Sequence, residues 1–188
     1  MRLSKTAFLF FLVLPCLSWG ADLKNENLLQ TLPPGYKIDF QTRQGNMIIS
    51  EMVPQAESVN NWTEMITSQV FLGMKNITPE QFQTRMQQAW MSACKEGKVI
   101  SLAKGEENGY PFAFWLQYCP LNQGTGKPEI TWFKAIKGNN SFYVVQKAFK
   151  FEPSQKQVVQ WSRYLRTVSV CDTRLPERAC PKTDKASN

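Results

Sequence analysis

Polar and apolar positions alternate most cleanly over residues 110–119. Tyr110, Phe112, Phe114, Leu116 and Tyr118 oppose Ala113, Trp115, Gln117 and Cys119. A period of two sends successive side chains to opposite faces of a strand. Both faces are rich in aromatics, which predicts a central strand covered on two sides. Residues 36–42 and 46–53 read as two strands around Arg43-Gln44-Gly45-Asn46, the second ended by Pro54. Trp62 to Leu72 form a longer strand, with Trp62, Ile66, Val70 and Leu72 in one parity and Glu64 and Ser68 interrupting that face. Residues 98–104 make a weak strand, and 129–137 with 141–150 a hairpin around Gly138-Asn139-Asn140.

Helical spacing occurs twice. Phe82, Met86, Ala89, Trp90 and Ala93 form a stripe over 79–95. Thr78 and Gln81 supply a capping box, Pro79 suits the first helical position, and Gly97 supplies the stop. Val158, Trp161, Leu165 and Val168 form a second stripe in a helix starting near Pro153 and ending near Cys171. Residues 21–33 read as a short helix or an arm. The order β-β-β-α-β-β-β-β-α, with tight turns between strands, predicts an α+β fold: an antiparallel β-sheet covered by the two helices.

A different pattern opens the chain. Arg2 and Lys5 precede an apolar run from Thr6 to Leu17, followed by Ser18-Trp19-Gly20-Ala21. This is the layout of a secretory signal peptide, and the run is too short to span a bilayer. Cleavage after Gly20 puts small residues at both recognised positions. The expected organisation is a cleaved signal at 1–20, one domain over 21–171 and a polar tail over 172–188. Export leads to the periplasm or the extracellular space.

Cleavage changes the chemistry of what remains. It removes two of the cations behind the formal charge of +7. It also removes Cys16, leaving Cys94, Cys119, Cys171 and Cys180. An even number of thiols in an exported chain predicts two disulfides, with three possible pairings. Cys171–Cys180 and Cys94–Cys119 are favoured, the first as a local loop and the second as a tie between a helix end and a strand end.

The chain has no histidine, which excludes Ser-His-Asp and Cys-His catalysis and imidazole metal ligation. Glu51, Glu57 and Glu64 are the best-placed acids for paired-carboxylate chemistry. Gly105-Glu106-Glu107-Asn108-Gly109 has oxygen ligands but reads first as a turn between strands. Gly124-Thr125-Gly126-Lys127 lacks phosphate-loop spacing, and Pro128 stands where a hydroxyl is required. Neither a cofactor nor a metal site is expected. Lys147, Lys150, Lys156, Arg163 and Arg166 are candidate anion-binding residues, beside exposed aromatics, for a ligand such as a phospholipid headgroup. Export argues against nucleic acid.

Pro34-Gly35-Tyr36, Glu51-Met52-Val53-Pro54 and Asn61-Trp62-Thr63-Glu64-Met65-Ile66-Thr67 carry a resemblance. Over residues 34–170 the element order resembles the PsbP/Mog1/DcrB-like fold, and the last segment is similar to one in uncharacterised exported bacterial proteins. The resemblance implies a non-enzymatic binding or accessory protein and carries over no catalytic residues. The four cysteines and the tail fall outside its pattern. The expected function is therefore an exported binding or accessory protein with an unidentified protein or anionic partner. The alternatives are a secreted host-interaction factor docking on anionic lipid, and a carboxylate-dependent hydrolase.

Overall fold

A computed structural model describes residues 24–181. The signal segment 1–20, Cys16 and the end of the tail lie outside the described residues. The strands are β1 (Glu26–Leu29), β2 (Tyr36–Gln44), β3 (Met47–Pro54), β4 (Glu64–Leu72), β5 (Lys98–Glu107), β6 (Tyr110–Asn122), β7 (Lys127–Lys137), β8 (Ser141–Phe149) and β9 (Ser169–Asp172). The helices are α1 (Pro79–Ala93), between β4 and β5, and α2 (Gln155–Thr167), between β8 and β9; a 3-10 turn follows at Pro176–Arg178.

Seven strands form one antiparallel sheet in the order β2-β3-β4-β8-β7-β6-β5, and β1 pairs with β9 as a separate ribbon. The expected α+β class, antiparallel sheet and two helices are present. Two elements differ. Residues 26–29 are a strand rather than a helix or arm, and the second helix stops at Thr167 so that 169–172 can pair with it. β6 is covered on both faces as expected, but it is next to the sheet's edge; β8 is central.

The pleat sorts side chains to two faces. Ile66, Phe114, Trp132, Tyr143, Val145 and Phe149 point to one, where Trp161, Leu165 and Val168 of the α2 segment and Leu28 and Val170 of the ribbon meet them. Ala113, Trp115, Phe133, Phe142 and Val144 point to the other, where Phe82 and Met86 of α1 pack. We call these the α2 face and the α1 face. Trp115 and Phe133 stack 5.0 Å apart on the latter.

Both helices begin with complete capping boxes, Thr78 with Gln81 and Ser154 with Gln157, which satisfy otherwise orphaned amides. α1 sits shallowly: Phe82, Met86 and Trp90 are half-buried, while Ala89 and Ala93 are exposed. The helix ends with Cys94 in an extended conformation, so Gly97 is not a left-handed cap. Gly97 is needed for space, since a Cβ there would lie 2.9 Å from the Cys94 carbonyl oxygen and 3.1 Å from the Trp90 ring.

Both favoured cysteine pairings are present. Cys94–Cys119 ties the end of α1 to β6, with Cα atoms 5.9 Å apart, and Cys171–Cys180 ties β9 to the residues after it, at 4.8 Å. Such bonds point to an oxidising, non-cytosolic location. No helix among the described residues is long and apolar enough to cross a membrane.

Candidate functional site

The α2 face contains two lysines that alternation alone would have buried. Lys147 shares parity with Tyr143, Val145 and Phe149, and Lys134 with Trp132 and Ile136. Lys147 is fully enclosed. Its ammonium donates to the Tyr36 hydroxyl at 2.7 Å and to Glu64 Oε2 at 2.8 Å, and the Tyr36 hydroxyl donates to the same carboxylate oxygen at 2.7 Å. Gln157 of α2 donates to the other Glu64 oxygen at 3.3 Å. Trp161, Phe149 and Tyr36 present their rings to the ammonium at 4.0, 4.5 and 4.8 Å.

Burial pulls Lys147 down to about 8, against the opposing attraction of Glu64. Burial, and then Glu64, pushes the Tyr36 phenol up. A lysine of lowered pKa can serve as a nucleophile, but this one has no exposed surface for a substrate to reach. Its chemistry is that of an internal tie joining β2, β4, β8 and α2. Lys134 repeats the arrangement: it donates to Glu107 at 2.5 Å and to the Val168 carbonyl at 2.8 Å, beneath the Phe112 ring. Burial lowers its pKa against the pull of Glu107.

The late basic residues therefore do not form one surface. Lys147 is interior. Lys150 lies 3.7 Å over the Trp62 ring, on the loop before β4. Lys156 and Arg163 are exposed on α2 beside Val159, and Arg166 is exposed in the last turn. The expected exposed aromatics are absent from that helix, because Trp161 is buried and Tyr164 half-buried against the core.

The candidate acids separate in the same way. Glu51 pairs across the strands with Thr67, and Glu64 with Phe149, so Glu51 lies on the α1 face and Glu64 on the α2 face. The sheet stands between them, and they cannot act as a carboxylate pair. Glu57 belongs to the loop after β3, where it accepts from Thr63 N at 2.6 Å and Thr63 Oγ1 at 2.5 Å. Its burial is outweighed by those bonds, which hold the carboxyl low. Gly105, Glu106 and Glu107 end β5, and Asn108-Gly109 form the two-residue turn into β6, with φ of 49° and 73°, the pairing of positive values that a tight hairpin needs. No cluster of three or more metal-ligating side chains exists among the described residues.

What the structure does bring together lies on the α1 face, beyond the reach of α1. Glu51 from β3, Met65 and Thr67 from β4, Gln146 and Ala148 from β8, and Glu129 and Thr131 from β7 floor a concavity of about 280 Å³. Val59 and Trp62 form its rim. Strand register builds the floor: Glu51 faces Thr67, Thr67 faces Gln146, Met65 faces Ala148, and Ala148 faces Thr131. The rim is held by two carboxylates. Asp39 accepts from Val59 N at 2.8 Å, and Glu57 holds Thr63 as described.

The floor is polar and incompletely satisfied. Thr131 is 2 % exposed, and its hydroxyl finds no hydrogen-bond partner among the described residues. Its cross-strand neighbour Gln117 is wholly buried, with both side-chain amide atoms unpartnered among the described residues. Buried polar groups are ordinarily satisfied, so each orphan needs a reason. Desolvation alone pushes the Glu51 carboxyl above the ordinary range. Glu129 accepts from Asn122 Nδ2 at 2.5 Å. A larger hollow of about 660 Å³ beside Cys94 and Leu121 contains none of the orphaned atoms.

Sequence reading named Glu51 but none of its companions. Thr131, Gln146 and Thr67 are unremarkable in a linear pattern, and only register unites them. The usable signal was polarity inside otherwise apolar strands: Gln117 and Thr131 interrupt faces that carry Trp115 and Phe133.

No family model and no curated protein matches the chain. Among solved structures it is similar to the Saccharomyces cerevisiae Ran-binding protein Mog1p, at 11 % identity over 76 % of this chain and 85 % of that one, with a TM-score of 0.42. It is likewise similar to a mutant of the protein Mog1, at 12 % identity over 74 % of this chain and 84 % of that one, again with a TM-score of 0.42.

Proposed function

We propose that the protein is an exported binding or accessory protein, not an enzyme, and that it holds its ligand in the polar concavity of the α1 face. One observation carries the reading. Thr131 is buried at the floor of an open concavity with its hydroxyl unpartnered among the described residues, whereas Lys147 and Lys134 on the opposite face each meet a carboxylate and a second acceptor. A site that leaves hydrogen-bonding capacity unused is prepared for an outside partner. The two disulfides and the leader-like first twenty residues support export. Docking on anionic lipid retains only Lys156, Arg163 and Arg166 as exposed cations on α2. A hydrolase that pairs Glu51 with Glu64 loses its pair, because the sheet stands between them.

The test is a screen of small polar fragments against isotope-labelled exported protein. Saturable shifts of the Thr67, Thr131 and Gln146 amides are expected. Shifts confined to β2 or the outer side of α2 would overturn the site. Mass mapping of the same sample is expected to show a chain beginning at Ala21 with no free thiol, and four free thiols would overturn the exported, disulfide-stabilised reading.

A further inference from the structure

Resting on that reading, we infer that the concavity selects a small organic cation: a protonated alkyl amine whose N–H donors meet Glu51 and Thr131. The lining is rich in acceptors. Glu51 and Glu129 supply carboxylates, Thr67 and Thr131 hydroxyls, and Gln146 an amide oxygen. The Glu51 carboxyl sits in a desolvated position with no ion pair among the described residues. A half-buried carboxylate is stabilised by an opposite charge brought against it.

Two nearby cations are already committed. Lys150 covers the Trp62 ring and is attracted to Glu129. On β2, Lys37 is paired with Asp39 at 3.2 Å. Glu129 is partly engaged by Asn122. Glu51 is thus the acid left for a ligand, and an ammonium group supplies both the charge and the donors it lacks.

Size and shape narrow the class. A volume of about 280 Å³ is slightly below the usual range for small-molecule pockets, roughly 300–1,000 Å³. That suits a stem of a few carbons. Trp62, Met65, Val59 and Ala148 provide an apolar wall for such a stem. The carboxylate and Thr131 at the floor then fix the charged end.

The experiment compares three four-carbon probes of matched length: 1,4-diaminobutane, 1,4-butanediol and succinate. Titration followed by amide shifts is expected to show saturable binding of the diamine alone, with changes at Thr67, Thr131 and Gln146. Glu51→Gln is expected to weaken it at least tenfold, and Thr131→Val several-fold. Affinity for the diamine is expected to fall with decreasing pH as Glu51 takes up its proton, above the ordinary carboxylate range. Glu51→Gln also serves as its own folding control. The raised native pKa means that the ionised carboxyl costs stability at neutral pH, so the variant's melting temperature is expected to hold or rise. Binding of the diol or succinate in place of the diamine would overturn the ammonium assignment while leaving the concavity a site. Shifts from none of the three would overturn the assignment. A fragment screen that also left these amides unmoved would overturn the site itself.

Discussion

On the α2 face, Lys147 and Lys134 each meet a carboxylate that reaches in from the rim, and aromatic rings close over them. On the α1 face, among the described residues, Glu51 has no paired cation and the side chains of Thr131 and Gln117 have no hydrogen-bond partner. The two faces share the same seven strands, so the difference comes from what covers them. α2 and the β1·β9 ribbon bring Trp161, Val168 and Leu28 down onto their face. α1 brings Phe82 and Met86 over one part of the sheet and leaves another part open. Burial of charge is tolerated where a carboxylate and a second acceptor meet each ammonium, and the concavity keeps the Thr131 hydroxyl without a partner among the described residues.

Breaking the closed face has the largest expected effect. Glu64→Gln leaves a buried ammonium without its counter-charge, and a loss of about 3–5 kcal/mol is expected in urea unfolding. Lys147→Met is the sharper test. It removes the buried charge, keeps the volume apolar, and leaves Glu64 19 % exposed and able to hydrate. Its stability is expected within about 1 kcal/mol of the parent, or above it. Equal losses in the two variants would show that the tie stabilises through attraction and not through avoided burial.

The open face depends on its bridge. Cys94 and Cys119 are 25 positions apart, and replacing both with Ala is expected to cost about 3–4 kcal/mol from restored chain entropy. Because α1 is held otherwise by half-buried Phe82, Met86 and Trp90, hydrogen exchange is expected to rise along the whole helix. Exchange in α2 is expected to be unchanged. A uniform rise over both helices would abolish the distinction between the faces.

The smallest effect separates the faces by pH. The native Lys147 pKa of about 8 lies below the ordinary 10.5, so the unfolded chain holds the proton more tightly in that interval. Stability is therefore expected to rise with pH between about 8 and 10, by about 2 kcal/mol. The lowered Lys134 acts in the same direction. The raised tyrosines Tyr36 and Tyr143 oppose the trend only above their ordinary value of 10.0. Urea midpoints measured from pH 7.5 to 10 check this, and Lys147→Met is expected to flatten most of the slope.

Much of this molecule can be read from local signals. The capping box at Thr78, the hairpin turn at 138–140, the Val158/Trp161/Leu165/Val168 stripe and the cysteine pairing rest on short-range chemistry. β1 and β9 were illegible because four residues carry too little periodicity, and Val168 and Val170 suit a helical stripe and a strand equally. Lys147 was misread as a surface cation because lysines are seldom buried, although its place between Val145 and Phe149 gave it away. The concavity required register: Glu51 on β3 gains meaning only when Thr67, Gln146 and Thr131 are aligned beside it.

The β1·β9 ribbon has a kinetic consequence. Asn25 N donates to Thr173 Oγ1 across 148 positions of sequence, and Glu26 seats its carboxylate on the Asn139, Asn140 and Ser141 amides. Such a long loop closes late, since its entropy must be spent before the contact is gained. The α2 face cannot be sealed until the last strand is in hand. On the exported reading proposed above, that delay keeps the chain slack until nearly all of it has been synthesised.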